Sequence, residues 1–375
     1  MPTNRYMRQQ SRVLWLALVI LTLSVAPRAA PARAAAPAPA PMELTLAQAL
    51  ALMPDTPAMR AAGVWYNDYA LAERAYGLTA TMVITDARIL QSYFQATQPL
   101  RPGMETGVAE LVSGHWRQVY GYDLFQLTAD IYSNSGGNCP VGSNYPLAMA
   151  AGNLDAASIG HVLATGGYSH AATDQAGFFH RTSLLLTGSR NAIMNALLLE
   201  PRRLIAGARP CDVAHAAQLL EQGSATLGRD PGYAALAAAL GPVQGAYLAA
   251  NVAPPPFALA PFPPPSGGHR GPALHPFGLY ALAYQELHQG ERYVELALGY
   301  ARRADALADI PTLDARLQRE ALSIYDAPWR SLMAGPPSLI ARGNVLVVRL
   351  RLRPTTPATL WQDVVAEHAL SLLSR

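Results

Sequence analysis

Two histidines flank a turn-like Asp-Gln-Ala-Gly in YSHAATDQAGFFHR, residues 168–181. Imidazole binds transition metals and titrates near neutrality, so a metal clip or a general base is the first chemistry to weigh. If the hairpin closes through a three-residue loop ending at Gly177, His170 and His180 share a face. If the loop is Gln175-Ala176, the register slips by one and they face opposite sides. A zinc site needs three or four ligands, so His161 on the preceding helix or Asp174 would have to converge with them. No H-E-x-x-H and no C-x-x-C spacing enforces that convergence. His161, His170 and His180 are therefore the metal candidates, and the expectation is an ordinary hairpin with no metal and no cofactor.

Other catalytic patterns fail on spacing. Gly152 stands alone before the helix start at Asp155, whereas a dinucleotide turn needs G-x-G-x-x-G so that backbone can approach a pyrophosphate. Asp155 would also repel phosphate from that helix N-terminus. Ser113, Ser143, Ser189 and Ser224 all lack the G-x-S-x-G pattern, although a triad is defined by geometry rather than by sequence. Two acid pairs stand out. Asp123 and Asp130 bracket a strand-like run, and Asp305 and Asp309 lie at i,i+4 on what is expected to be a solvated helix, so both have structural explanations. The chain contains no lysine, which excludes Walker A loops, Schiff-base enzymes and S-x-x-K chemistry.

Arg349, Arg351 and Arg353 alternate with Val348, Leu350 and Leu352, so a strand would present three guanidiniums on one face and an apolar row on the other. They could hold an anionic glycan or lipid headgroup. The simpler expectation is the wet face of a half-buried edge strand, where charge discourages edge pairing. The two cysteines, Cys139 and Cys211, read as a disulfide if the chain is exported.

Export is what the N-terminus suggests. Arg5, Arg8 and Arg12 precede the apolar run at residues 13–26, and Ala32-Arg33-Ala34 offers a small-residue cleavage site. That run is short of the roughly 20 residues a spanning helix needs. Residues 1–36 are thus expected to be a signal peptide and 37–44 an Ala/Pro tether. Without the five leader arginines the formal charge changes from +3 to −2, so overall charge gives nucleic-acid binding no support. Membrane contact is expected only through the N-terminal segment, if it stays uncleaved.

The elements that would position these groups follow from periodicity and punctuation. Residues 45–114 read as a mostly helical subdomain, with helix starts at Thr45 and Asp55-Thr56-Pro57 and a helix carrying Val64, Trp65, Tyr69, Leu71 and Tyr76. Residues 115–250 read as an α+β domain. In it PLAMAAGNL, the Asp155 helix and Tyr168 make strand, helix and strand, followed by a meander and a helix at residues 211–223. Residues 253–276 form a Pro-rich insert whose Phe257 and Phe262 are candidates for docking a partner. Residues 277–375 read as a second α+β region packed on the first: a hairpin about Gln289-Gly290, a long helix over 302–321, a second hairpin and a final helix. The fold class is α+β, with mixed or antiparallel sheets packed with helices in ferredoxin-like sandwich elements.

The opening ALALMPDTPAMRAAGVWYNDYALAERAYG, the YDLFQL strand, the AGNLDAASIGHVLATGGY unit and the RLIAGARP strand resemble features of a loose group of exported bacterial proteins that has no assigned activity. The resemblance implies export and an α+β body, and assigns no functional residue. The expected function is that of an exported, non-catalytic binding or structural protein of the cell envelope, with an envelope protein or surface glycan as partner. The alternative is an exported hydrolase using His161, His170 or His180, or a small-ligand binder, with a site between the helical subdomain and the sheet body.

Overall fold

Antiparallel pairing organises the chain. The computed structural model describes residues 44–78, 88, 115–134, 146–170, 177–180, 196–200, 202–223, 226–252, 272–287, 290–325, 327–367 and 370–373. The leader, the tether up to residue 43, Ser113, Cys139, Ser143, the hairpin turn at 171–176, Ser189, Ser224, Phe257 and Phe262 lie outside these residues.

The chain enters through two short helices with the expected starts. Thr45 caps α1 (Leu46–Leu50) in a reciprocal box with Gln48, and Thr56 caps α2 (Pro57–Ala62) with proline in its first turn. Val64 and Trp65 lie not in a helix but in strand β1 (Val64–Asp68), followed by helix α3 (Tyr69–Ala75). Gly63 separates α2 from β1 at φ +74°, and a Cβ there would sit 2.5 Å from the Tyr247 ring. Glycine is needed on both counts.

Beyond it come α4 (His115–Tyr120), β2 (Leu127–Ser133), β3 (Leu147–Gly152), α5 (Ala156–Thr165), β4 (Ser169–His170), β5 (Phe178–His180), β6 (Ala196–Glu200), β7 (Arg203–Gly207), α6 (Pro210–Gln222), α7 (Pro231–Leu240) and β8 (Gly245–Ala250). The last part contains β9 (Phe277–Leu287), β10 (Glu291–Tyr300), α8 (Arg303–Ala308), α9 (Ile310–Arg319), a small β11–β12 pair (Ala321–Leu322, Ala327–Pro328), α10 (Trp329–Leu332), β13 (Ser338–Arg342), β14 (Val345–Arg351) and α11 (Leu360–Ala366). The long helix expected over 302–321 breaks at Asp309, where Pro311 removes a backbone donor and starts α9 anew.

Among the described residues, twelve strands form one antiparallel sheet in the order β13-β14-β10-β9-β8-β1-β2-β3-β7-β6-β5-β4. Strand β1 lies inside the sheet between β8 and β2, so strands from the N-terminal, middle and C-terminal stretches share one hydrogen-bonded body. One cross-strand row runs through all of it: Leu339, Val348, Leu296, Leu282, Tyr247, Trp65, Tyr132, Ala148, Ala206, Leu197, Phe179 and His170.

Both faces of the sheet are covered. On the face of that row, α3, α5, α9 and α11 contribute Tyr69, Ile159, Leu313 and Trp361 to one core. On the other, α1, α2, α6 and α7 contribute Leu50, Met59, Val213 and Leu236 to a second. The meander from β4 to β7 and the β9–β10 and β13–β14 hairpins match the sequence expectation. However, β3 and β4 are separated by β7, β6 and β5.

Candidate functional site

Where β9 begins, the approach to β9, the end of β10 and the α8–α9 joint converge on one carboxylate. Leu274 and Phe277 are buried in the core and pin the approach to β9. His275 between them turns outward, with 43% of its side chain exposed against 1% for Asp309. Asp309 occupies the joint between α8 and α9, where the helix break turns its carboxylate into the body rather than toward solvent. Its Oδ2 accepts the His275 backbone N–H at 2.8 Å and the Tyr300 hydroxyl at 2.9 Å, and its Oδ1 lies 2.7 Å from His275 Nδ1. An ionised carboxylate can only accept, so Nδ1 carries the proton and Nε2 is the imidazole's other, outward nitrogen.

The electrostatics follow from this geometry. The hydrogen bond to Asp309 and its charge raise the His275 pKa above its ordinary value. Burial, then the same carboxylate, push the Tyr300 phenol up. Beside them Arg302 pairs with Asp305 at 2.7 Å and holds that carboxyl below the usual range. From α9, the buried Arg316 donates to Leu372 O at 2.6 Å and to Pro272 O at 3.1 Å. An imidazole oriented through Nδ1 by a buried carboxylate is the base-and-orienter arrangement of general-base chemistry.

A second polar group lies inside the sheet. Asp130 on β2 faces Asn67 on β1, accepting from Asn67 Nδ2 at 2.6 Å and from Tyr69 hydroxyl at 3.0 Å. All three are buried. On the same helix as Tyr69, Glu73 has a buried Oε1 with no hydrogen-bond partner in the structure. Burial pushes its carboxyl up to about 7, Arg74 opposes this and Asp68 adds to it. A folded-state value above the ordinary 4.5 means that the fold binds this proton more tightly than the unfolded chain does. Stability therefore falls as pH rises from about 4.5 to about 7 and levels off above that. The group is partly solvated, which reduces the effect to about 1–2 kcal/mol. Glu73→Gln is expected to stabilise by that amount at about pH 8 and to leave stability unchanged at about pH 4, read by urea unfolding at both.

The residues singled out by sequence are distributed differently. Ser169 pairs with His180 and His170 with Phe179, so the two histidines fall on opposite faces of the sheet. The register is two residues from the one that the Gln175-Ala176 loop would set, though the histidine positions again fall on opposite faces, and His161 is exposed on α5. The structure does not bring the three together.

The arginine strip is also corrected. β14 is not an edge strand, since β13 lies outside it. Arg349 lies over the Tyr293 ring at 4.0 Å, pairs with buried Glu295 at 3.2 Å and donates to Gln285 Oε1 at 2.9 Å. Arg351 pairs with Glu291, and Arg353 donates to Met333 O at 2.8 Å. These guanidiniums tie β14 to its neighbours.

Gly152 ends β3 against the carbonyl of Gln126, which a Cβ would strike, so its size serves close backbone approach between elements. Cys211 sits in the first turn of α6. Asp305 and Asp309 are both buried rather than solvated.

Sequence reasoning passed over His275, which it treated as the end of the Pro-rich insert. The available signal was local: an isolated histidine between two apolar residues just before a long strand. Its partner lies 34 residues away, and no spacing rule reaches that far. Comparison of the chain with family models, curated proteins and solved structures returns no match.

Proposed function

We propose that the chain is exported and acts outside the cytoplasm as a non-catalytic binding or structural protein of the cell envelope, with a protein partner. What supports this most is the direct packing of α3 on the sheet. There Tyr69 and Ala72 pack into the core beside β2 and β9, so this part of the chain is built as body rather than as a separate cap. The arginines offered for a surface glycan are joined to Glu295, Glu291 and a backbone carbonyl, which favours a protein over an anionic glycan. In this proposal residues 1–36 are removed, Cys139 and Cys211 form a disulfide, and Phe257 and Phe262 contribute to docking. We further infer that the fold is better grouped as one wide sheet between two helical layers than as ferredoxin-like sandwich elements, because three strands separate β3 from β4.

One observation favours a second reading, an exported hydrolase: the Asp309-oriented imidazole of His275. In-cell cross-linking and an ester-hydrolysis assay separate the two. The first reading expects cross-links to a stoichiometric protein partner and no turnover by the purified mature chain. Turnover that falls by at least about tenfold in His275→Asn would replace it with the second, since loss of a general base costs on the order of 10²–10⁴.

A further inference from the structure

We propose that His275 is a pH-sensitive latch: as an imidazolium it holds residues 272–276 and the start of β9 against Asp309, and as a neutral ring it holds them less tightly. The latch is built from several bonds. His275 grips one carboxylate twice, through its backbone N–H at 2.8 Å and its ring at 2.7 Å. Just beyond, Phe277 pairs with Tyr300, whose hydroxyl reaches the same carboxylate, and Asn251 Nδ2 donates to Phe277 O at 3.1 Å. Three of the contacts that begin β9 therefore converge on Asp309 or its immediate neighbours.

Charges facing the imidazole come from every element around it. Asp305 and Arg302 face it from the α8 end, Asp309 from the joint and Tyr300 from β10. Arg316 on α9 interacts with Asp309 and Tyr300 from behind, with Glu320 adjacent to it. Asp309 is the nearest and is directly bonded, so the proton is favoured while the segment is closed. A released imidazole titrates near its ordinary 6.5.

Closing therefore binds the proton more tightly than the released segment does. The extra hold is complete below about 6.5 and is lost as pH rises through the higher closed-state value. The neutral ring still donates from Nδ1, so the latch weakens without opening fully. Arg316 does not titrate near neutrality, and its bonds to Pro272 O and Leu372 O give a fixed reference beside the switch.

The test is amide hydrogen exchange at His275 and Phe277 from about pH 6 to about pH 9, corrected for intrinsic rates. It is run in a Glu73→Gln background, so that the one buried carboxyl raised into this window is removed, and the His275→Asn comparison isolates His275 from the other histidines. Protection is expected to fall by at least about threefold as pH rises, since each unit of pKa difference corresponds to tenfold. His275→Asn keeps a neutral donor, and its protection is expected to be independent of pH and to match the high-pH level of the parent. Flat protection in the parent, or a slope that survives in His275→Asn, overturns the latch. Should that variant fail to fold, NMR titration of the parent imidazole decides: a value above 6.5 with the proton on Nδ1 is expected, and one at or below 6.5 overturns it.

Discussion

Trp361→Ala is expected to lower the unfolding free energy by about 3–5 kcal/mol, the range for truncating a fully buried aromatic side chain. Trp361 has no exposed surface, and α11 places it over the middle of the sheet. Its ring lies 5.6 Å from Trp65 of β1 and 6.5 Å, nearly parallel, from Tyr284 of β9. One side chain near the C-terminus thus joins the strand that enters the sheet first to a strand more than 200 residues later, and truncation leaves a cavity at their meeting point. Trp361→Phe retains most of the packing and removes an indole N–H that has no partner in the structure, so it is expected to cost about 1–2 kcal/mol. Leu307 on α8, 47% exposed, is the control, and its change to serine is expected to stay within about 0.5 kcal/mol. Urea unfolding reads all three variants. A loss below about 1 kcal/mol for Trp361→Ala would mean that α11 does not cover the sheet centre.

Asp130→Ala is expected to cost about 2–5 kcal/mol, because it leaves the Asn67 amide and the Tyr69 hydroxyl as buried donors without their acceptor, at about 1–3 kcal/mol each. The pair joins adjacent central strands across a row that is otherwise apolar and aromatic. Asp130→Asn keeps one carbonyl acceptor and is expected to cost about half as much. The double variant Asn67→Ala/Asp130→Ala should cost less than the sum of the two single changes, because the partners are removed together. Additive losses in that cycle would show that the two side chains do not interact.

The sequence made local features legible where one residue type has one strong use. Thr45, Thr56 and Asp155 accept helix N-terminal amides as expected of caps, and the hairpins follow their glycines and alternation. Strand β1 was not legible for a physical reason. VWYND is buried on both faces and so lacks the period of two, while Trp65, Tyr69 and Tyr76 happen to fit helical spacing. The edge position expected of β14 failed because its clean alternation is equally compatible with a strand whose charged face is paired across to β10. Asp309 was assigned to solvent by its i,i+4 relation to Asp305. The break at Pro311 and a histidine from another segment reversed that, and both act through tertiary structure. The same limit applies to the Asn67–Asp130 pair, whose 63-residue separation carries no local signature.

The central claim, a non-catalytic protein working outside the cytoplasm, is tested most directly by native and denaturing mass spectrometry of the chain purified from its own host's envelope. The account predicts a chain lacking residues 1–36, lighter by the two hydrogens of a disulfide, free of stoichiometric metal or small molecule, and in native spectra joined to a protein subunit. A full-length chain with its leader retained and both cysteines reduced, or one carrying a stoichiometric small molecule or metal, would contradict it.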